Sequence, residues 1–320
     1  MRVLFRVDGG PAIGWGHVSR CVALAADLVQ RGVHVIWACR SEPGLSGLMD
    51  QAPEISLSGQ ASFEPLPLSE IEPIVSACGS IDWVVVDHYG AHPDYLAALR
   101  AGTGAKILLM DDHQIRPGAD LRLAPMQPPA RDALTGPEYL LMRDCFDPAP
   151  SPQRMERSGL LICFGGADHP QHTRSALEAL VTSEGRPSPI TVIASDVLAE
   201  RQRLDALVQT LGPDVERLAW IDGSEMASRF SGVACALVSS SVLAFEALAM
   251  GAPVVSVESV DNQRYHAETL RRLGVPSVQE IDEAVRLAVG GRAVSLPEGQ
   301  IDAQGAGRVA AQMLGQEERG

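Results

Sequence analysis

Apolar and polar positions change period along this chain, and the changes separate strands from helices. Residues 2–7 form a short apolar run broken only by Arg6, as a buried strand would. Residues 18–31 instead place apolar side chains at 18, 21, 22, 25, 28 and 29, the stripe of an amphipathic helix, and Gly32 stops it. A second strand-like run follows at 33–39. Strand, loop, helix, strand implies a parallel pair joined by a crossover. Further apolar runs at 83–86 and 106–110 alternate with helical segments such as 93–100, so the first half predicts an α/β sheet.

Residues 125–137 are rich in Pro, with Ala and Gln among them, and residues 147–153 (DPAPSPQ) are denser still in proline, which marks a linker. The pattern then restarts. A strand over 160–164 runs into Gly165-Gly166, a helix covers about 173–182, and strands are expected at 190–194, 234–238 and 253–257. The expected architecture is α/β, with Rossmann-like domains over 1–150 and 151–320. Each domain places a glycine-containing loop after its first strand.

Composition narrows the partners. The chain has 320 residues, 46% of them hydrophobic, ample for a buried core. Forty acidic against 26 basic residues give a formal charge of −14, which repels phosphate backbones and anionic lipid surfaces. Nucleic acid and stable membrane association are therefore poor expectations, whereas an anionic small molecule can still be held by a helix N-terminus. Arg6 and Asp8 cut the first apolar run short of a signal-peptide core, and no stretch is long and apolar enough to span a bilayer. A cytoplasmic protein is expected, with monomer as the default state. Cys21, Cys39, Cys78, Cys145, Cys163 and Cys235 form no CxxC pair and read as reduced core residues.

The segment Asp8-Gly9-Gly10-Pro11-Ala12-Ile13-Gly14-Trp15-Gly16-His17 links the first strand to the first helix. Its glycines, Gly14 and Gly16 above all, let backbone approach a ligand beside unpaired helix N–H groups. A dinucleotide fingerprint fits poorly, because a third glycine is missing and the second strand ends in Arg40 where an acid would hold a ribose. Arg40 keeps an NADP enzyme open as a minor alternative. An ordinary flexible loop is the plainer reading, against which Trp15 counts. His17 is the leading candidate base: the positive end of the helix dipole disfavours imidazolium, leaving a ring able to accept a proton. A capping or surface role is the plainer reading there too.

Residues 83–90 (WVVVDHYG) read as a buried strand whose polar end carries Asp87, His88 and Tyr89. Ligands of α/β proteins sit at such carboxyl ends, although Asp87 and Tyr89 can equally cap and pack the next loop. Asp111-Asp112-His113 resembles a metal cluster, but adjacent side chains diverge, so loop capping is the stronger expectation and no metal is assigned. In the second half, Gly165 and Gly166, with Asp168 beyond them, and Ser239-Ser240-Ser241 offer backbone-lined anion sites. Glu246 suits ribose hydroxyls, and Asn262 and Gln263 suit a sugar or base. Each also has a structural reading, as salt-bridge partner or helix cap.

Together, GxGH ending at His17, VVDHYG at 85–90, MDDHQIRP at 110–117, FGGAD at 164–168, SSSVLAFEAL at 239–248 and DNQ at 261–263 resemble one family. It is the UDP-2,4-diacetamido-2,4,6-trideoxy-β-L-altropyranose hydrolase family of pseudaminic acid biosynthesis. The resemblance covers most of the chain in order. It implies a GT-B fold, two Rossmann-like domains facing each other across a cleft, related to the peptidoglycan N-acetylglucosaminyltransferase. It also implies UDP on the C-terminal domain, the sugar between domains and no cofactor. In GT-B proteins a last helix often crosses back onto the first domain. The family roles would fall on His17 as base and Tyr89 in the site, with UDP contacts around Gly165, Gly166, Ser241, Glu246 and Asn262. Many relatives carry a Gly-Ser-Thr stretch where this chain has Ser239-Ser240-Ser241-Val242, which questions hydroxyl contacts to phosphate more than backbone ones.

The expected reaction is metal-independent hydrolysis. His17 takes a proton from water as it attacks the anomeric carbon with inversion, Tyr89 and Asp87 orient the participants, and helix N–H groups receive the charge developing on UDP. A GT-B glycosyltransferase using a UDP-amino sugar is the first alternative. An NADP oxidoreductase or a non-catalytic nucleotide-sugar binder is the second.

Overall fold

The computed structural model describes residues 1–10, 13–40, 42, 45, 49, 55–111, 115–147, 156–165, 170–194 and 198–316. The chain divides into two compact units, Met1–Arg143 with Gln304–Gly320, and Asp144–Ala303. The division thus falls ahead of residue 150, and the second unit does not run to residue 320. Of the proline-rich segment 147–153, all but Asp147 lies outside the described residues.

In the first unit the strands are β1 (Arg2–Val7), β2 (His34–Arg40), β3 (Ile55–Leu57), β4 (Trp83–Asp87), β5 (Lys106–Met110), β6 (Leu121–Leu123) and β7 (Ala133–Leu134). They form one parallel sheet in the order β3-β2-β1-β4-β5-β6-β7. Helices α1 (Gly16–Gln30), α2 (Ile71–Cys78) and α3 (Pro93–Thr103) are crossovers. The strands are apolar nearly end to end because both faces are covered. Val3, Phe5, Val85 and Leu108 pack with Val18, Leu24 and Leu28 of α1. Leu4, Val84, Val86 and Leu109 pack on the other face with Ile74 of α2 and Tyr95 and Leu96 of α3.

The final helix, α10 (Gly305–Leu314), joins the first core through Ala306, Val309, Ala310 and Met313. A Cβ at Gly305 would stand 2.0 Å from the Leu140 carbonyl oxygen, so only glycine permits this approach. Arg31 donates to the Gly307 carbonyl, and Arg308 to that of Glu138.

The second unit contains β8 (Ser158–Cys163), α4 (Pro170–Thr182), β9 (Ile190–Ile193), α5 (Leu198–Leu211), β10 (Val215–Leu218) and α6 (Gly223–Gly232). It continues through β11 (Val233–Ser239), α7 (Val242–Ala249), β12 (Val254–Val257), α8 (Arg264–Arg272), β13 (Ser277–Val278) and α9 (Ile281–Val289). Its sheet is also parallel, ordered β10-β9-β8-β11-β12-β13. Both sheets reverse strand order at their centres, between β1 and β4 and between β8 and β11. The loops leaving neighbouring strands diverge at such a switch point, which opens a crevice beyond the carboxyl ends. No helix among the described residues is long and apolar enough to cross a membrane.

Candidate active site

The loop after β1 closes on itself: the Gly10 and Gly14 N–H groups each donate to the other's carbonyl, at 3.1 and 2.8 Å. Gly14 has φ +78°, where L side chains are strained. Gly9 is dictated by packing, since a Cβ there would sit 2.6 Å from Val18 Cγ2. Pro11 and Ala12 lie outside the described residues. Gly16 opens α1, which places His17 in the first turn of the helix.

Register brings the partner of His17. Val7 pairs with Asp87 at the ends of β1 and β4, so the glycine loop departs beside the Asp87 carboxylate. His17 Nδ1 lies 2.7 Å from Asp87 Oδ1. Arg20, one turn along α1, donates from Nε to Asp87 Oδ2 at 2.6 Å and from Nη2 to Oδ1 at 2.5 Å. Burial pushes the Asp87 carboxyl up, but the charges of Arg20 and then His17 outweigh it and hold the group well below the usual carboxylate range. An ionised carboxylate only accepts, so Nδ1 carries a hydrogen, and in the neutral ring Nε2 is the nitrogen that bears the lone pair. Asp87 therefore fixes the orientation of the His17 ring, while the capping alternative has no support in these contacts.

Aromatic rings frame His17. Tyr89 meets it edge-on with centroids 4.7 Å apart, and Phe63 lies 5.7 Å from His17 and 5.0 Å from Tyr89. Phe63 reaches this position because residue 90 is glycine: a Cβ there would be 2.0 Å from the Glu64 carbonyl oxygen. The Leu66 N–H also donates to the Gly90 carbonyl. The turn 88–91 is held from below by Arg116, whose Nη1 donates to the carbonyls of His88, Tyr89 and Ala91 and whose Nε donates to Asp111. Asp111 thus ties down a loop. Asp112 and His113 lie outside the described residues, among which no group of His, Cys, Asp and Glu is arranged to hold a metal.

Arg40 is corrected as a phosphate ligand. It is buried and ion-paired through one nitrogen to Asp8 and through another to Glu70. Arg6, fully buried, bridges the same two acids at 2.9 and 3.0 Å. This network leaves Arg40 no exposed face for an NADP phosphate. His88 borders it: the ring accepts from the Gly90 N–H at Nδ1, and Nε2 lies 3.5 Å from Asp8 Oδ2. Burial, with the charge of Arg6, lowers its pKa to about 4, so it is a neutral structural residue.

In the second unit, Gly165 follows β8 with φ +92° and open space where a Cβ would be, while Gly166 and Asp168 lie outside the described residues. The serine turn divides by role. Ser240 is corrected as a ligand contact: its N–H donates to the Val257 carbonyl, and its hydroxyl, fully buried, meets those of Ser256 and Ser277 at 3.0 and 2.8 Å. Ser241 caps α7, accepting from the Leu243 N–H. Glu246 is buried on α7, and Gln263 Oε1 accepts from the Ser259 N–H, which fixes the loop around Asn262.

Two doubly wound units of this kind define the GT-B class, and solved structures share the fold. MurG of Acinetobacter baumannii matches with a TM-score of 0.63 at 15% identity, over 99% of this chain and 100% of that one. MnaA of S. aureus, solved with UDP, matches with a TM-score of 0.64 at 12% identity, over 99% and 98%. Among curated sequences, the chain resembles the UDP-2,4-diacetamido-2,4,6-trideoxy-β-L-altropyranose hydrolase of Campylobacter jejuni. They are 27% identical over 288 residues, 86% of this chain and 97% of that protein. No family model matches. This relative, similar over most of both chains, bears the name of the family that the motifs resemble.

Arg20, Phe63, Glu70 and Arg116 escaped the sequence reading. Arg20 carried one usable signal, a cation three residues beyond His17 and so on the same side of a helix. Phe63 carried none, because its position depends on a backbone contact with Gly90.

Proposed function

We propose that the protein hydrolyses a UDP-linked diacetamido-trideoxy hexose to free sugar and UDP, in pseudaminic acid or related nonulosonic acid biosynthesis. The observation that carries this reading is the 2.7 Å contact between His17 Nδ1 and Asp87 Oδ1. It leaves Nε2 as the acceptor of a water proton, the requirement of a general base. Similarity to the Campylobacter jejuni hydrolase over most of both chains supports the substrate class.

In the proposed step, the water oxygen forms a bond to the anomeric carbon as the bond to the UDP oxygen breaks. The bonding pair leaves with UDP, the water proton passes to His17 Nε2, and the anomeric configuration inverts. UDP is a good leaving group, so backbone N–H groups suffice to receive its charge without a metal. Gly165 and Gly166, the N-terminus of α7 at Ser241, Glu246 and Asn262 are the proposed UDP contacts. Tyr89 and the glycine loop are proposed to meet the sugar.

The test incubates the purified protein with a panel of UDP-diacetamido-trideoxy hexoses in ¹⁸O water and no acceptor. Label is expected in the sugar hydroxyl and not in UDP, with inversion seen by NMR. His17→Asn should abolish turnover yet retain UDP binding by calorimetry. Near-normal turnover in that variant sinks the role of His17. Absence of hydrolysis across the panel sinks the activity, and loss of activity on chelation sinks the metal-free step.

A further inference from the structure

Asp87 is not an isolated partner for His17. The Arg20 guanidinium engages both of its oxygens, and Arg20 Nη2 also lies 3.2 Å from His17 Nδ1. With the Nδ1 hydrogen directed at Asp87, that last approach is donor against donor and brings no hydrogen bond. The Arg20 side chain is 13% exposed and that of Asp87 fully buried, so solvent screens this charge weakly.

We infer that Arg20 is a positioning residue for the proposed hydrolysis: its fork fixes the plane of the Asp87 carboxylate, and its charge opposes the pull of that carboxylate on a proton at His17. The inference rests on the assignment of His17 as base. An unopposed carboxylate 2.7 Å from Nδ1 would favour imidazolium strongly, and an imidazolium cannot accept the water proton. The neighbouring cation works in the other direction. Among the described residues, the other contacts of this pair do not duplicate it. Tyr89 and Phe63 present ring contacts, His88 is neutral through burial, and the buried Cys21 thiol, 3.6 Å from Asp87 Oδ2, is pushed well above its ordinary value by that burial.

Two variants separate charge from orientation. Arg20→Gln removes the cation and should move the acid limb of the kcat/KM profile to higher pH by about 1 unit or more. The His17 imidazole, followed by NMR in the intact protein, should shift its titration equally. Arg20→Lys keeps the charge without the planar fork; its limb should stay near the wild-type position while kcat falls about tenfold or more. A limb and an imidazole titration in Arg20→Gln that coincide with wild type overturn the proposal, as does a Lys variant that shifts like Gln. The NMR titration reads the coupling of Arg20 to His17 whether or not His17 is the base. An active His17→Asn enzyme would overturn that assignment separately, and with it the proposal. Unfolding midpoints of both variants show whether the fold is retained, and the titration is read from whichever variant stays folded.

Discussion

His17 Nδ1 and Asp87 Oδ1 stand 2.7 Å apart although 70 residues separate them in the chain. The contact exists because β1 and β4 are neighbours at the centre of a sheet, with Val7 in register with Asp87. Replacing Asp87 by Asn removes the charge that would balance the imidazolium of the proposed step and strands Arg20 beside a neutral amide. Turnover should fall on the order of 10²–10⁴-fold. The uncompensated guanidinium should cost about 3–5 kcal/mol in denaturant unfolding. Activity and stability of Asp87→Asn near wild type would contradict both roles.

Gly90→Ala tests how Phe63 reaches the site. The new methyl would meet the Glu64 carbonyl oxygen at 2.0 Å, so segment 64–66 must withdraw and carry Phe63 away from Tyr89 and His17. We expect a loss of about 1–3 kcal/mol together with reduced kcat/KM. Phe63→Ala should reproduce the kinetic loss with a smaller change in stability, because Phe63 is 41% exposed.

Acid stability follows from His88. Its pKa in the folded protein, about 4, lies below the ordinary 6.5, so between those values the unfolded chain binds the proton and the folded chain does not. Stability should therefore fall as pH drops from about 6.5 to about 4, by on the order of 3 kcal/mol, and this contribution then levels off. The lowered carboxyls of Asp8 and Asp87 act with the same sign further down, since their stabilisation is lost as pH falls through their folded values. His88→Asn should flatten the upper part of the unfolding curve against pH. An unchanged slope there would exclude His88 as the cause.

Ser240→Ala should leave UDP affinity unchanged in calorimetry. Its hydroxyl faces Ser256 and Ser277, and its N–H is spent on the Val257 carbonyl. The expected effect is a stability loss of about 1 kcal/mol from two hydroxyls left without their partner. A large drop in UDP affinity would show that the serine turn binds through side chains after all.

Gly305→Ala tests the return of α10 to the first unit. A Cβ at 2.0 Å from the Leu140 carbonyl oxygen cannot be absorbed by a side-chain rotation, because both partners are backbone. We expect loss of several kcal/mol in unfolding experiments, or failure to fold. Arg31→Ala, which removes the bonds to Asp27, Gly307 and Gln316, should cost less.

Much of the fold was legible residue by residue. The run 2–7 is β1, 106–110 is β5, and the stripe from Val18 to Val29 is α1, because local burial patterns follow the period of the backbone. The end of the first unit was not legible. Prolines at 147–153 suggested a boundary from composition, whereas the division at Arg143 reflects which residues pack together. The residues of α10 alone show that an amphipathic helix covers a core, not which one; its return to the first unit was implied only by the GT-B resemblance. Arg6 and Arg40 looked like interruptions of apolar runs or ligand contacts, and only the arrival of Glu70 from a distant segment shows them to be paired in the interior.

By itself, then, the sequence determined what local chemistry can encode: alternating strands and helices, glycine loops after β1 and β8, a histidine in the first turn of α1, and ordered motifs that resemble one hydrolase family. The tertiary structure decided the couplings. Strand order placed Asp87 beside His17, helix phase turned Arg20 onto the same carboxylate, and one missing Cβ at Gly90 admitted Phe63. These contacts join residues remote in the chain, so their distances follow from sheet register and close backbone approach, which no short window of residues specifies.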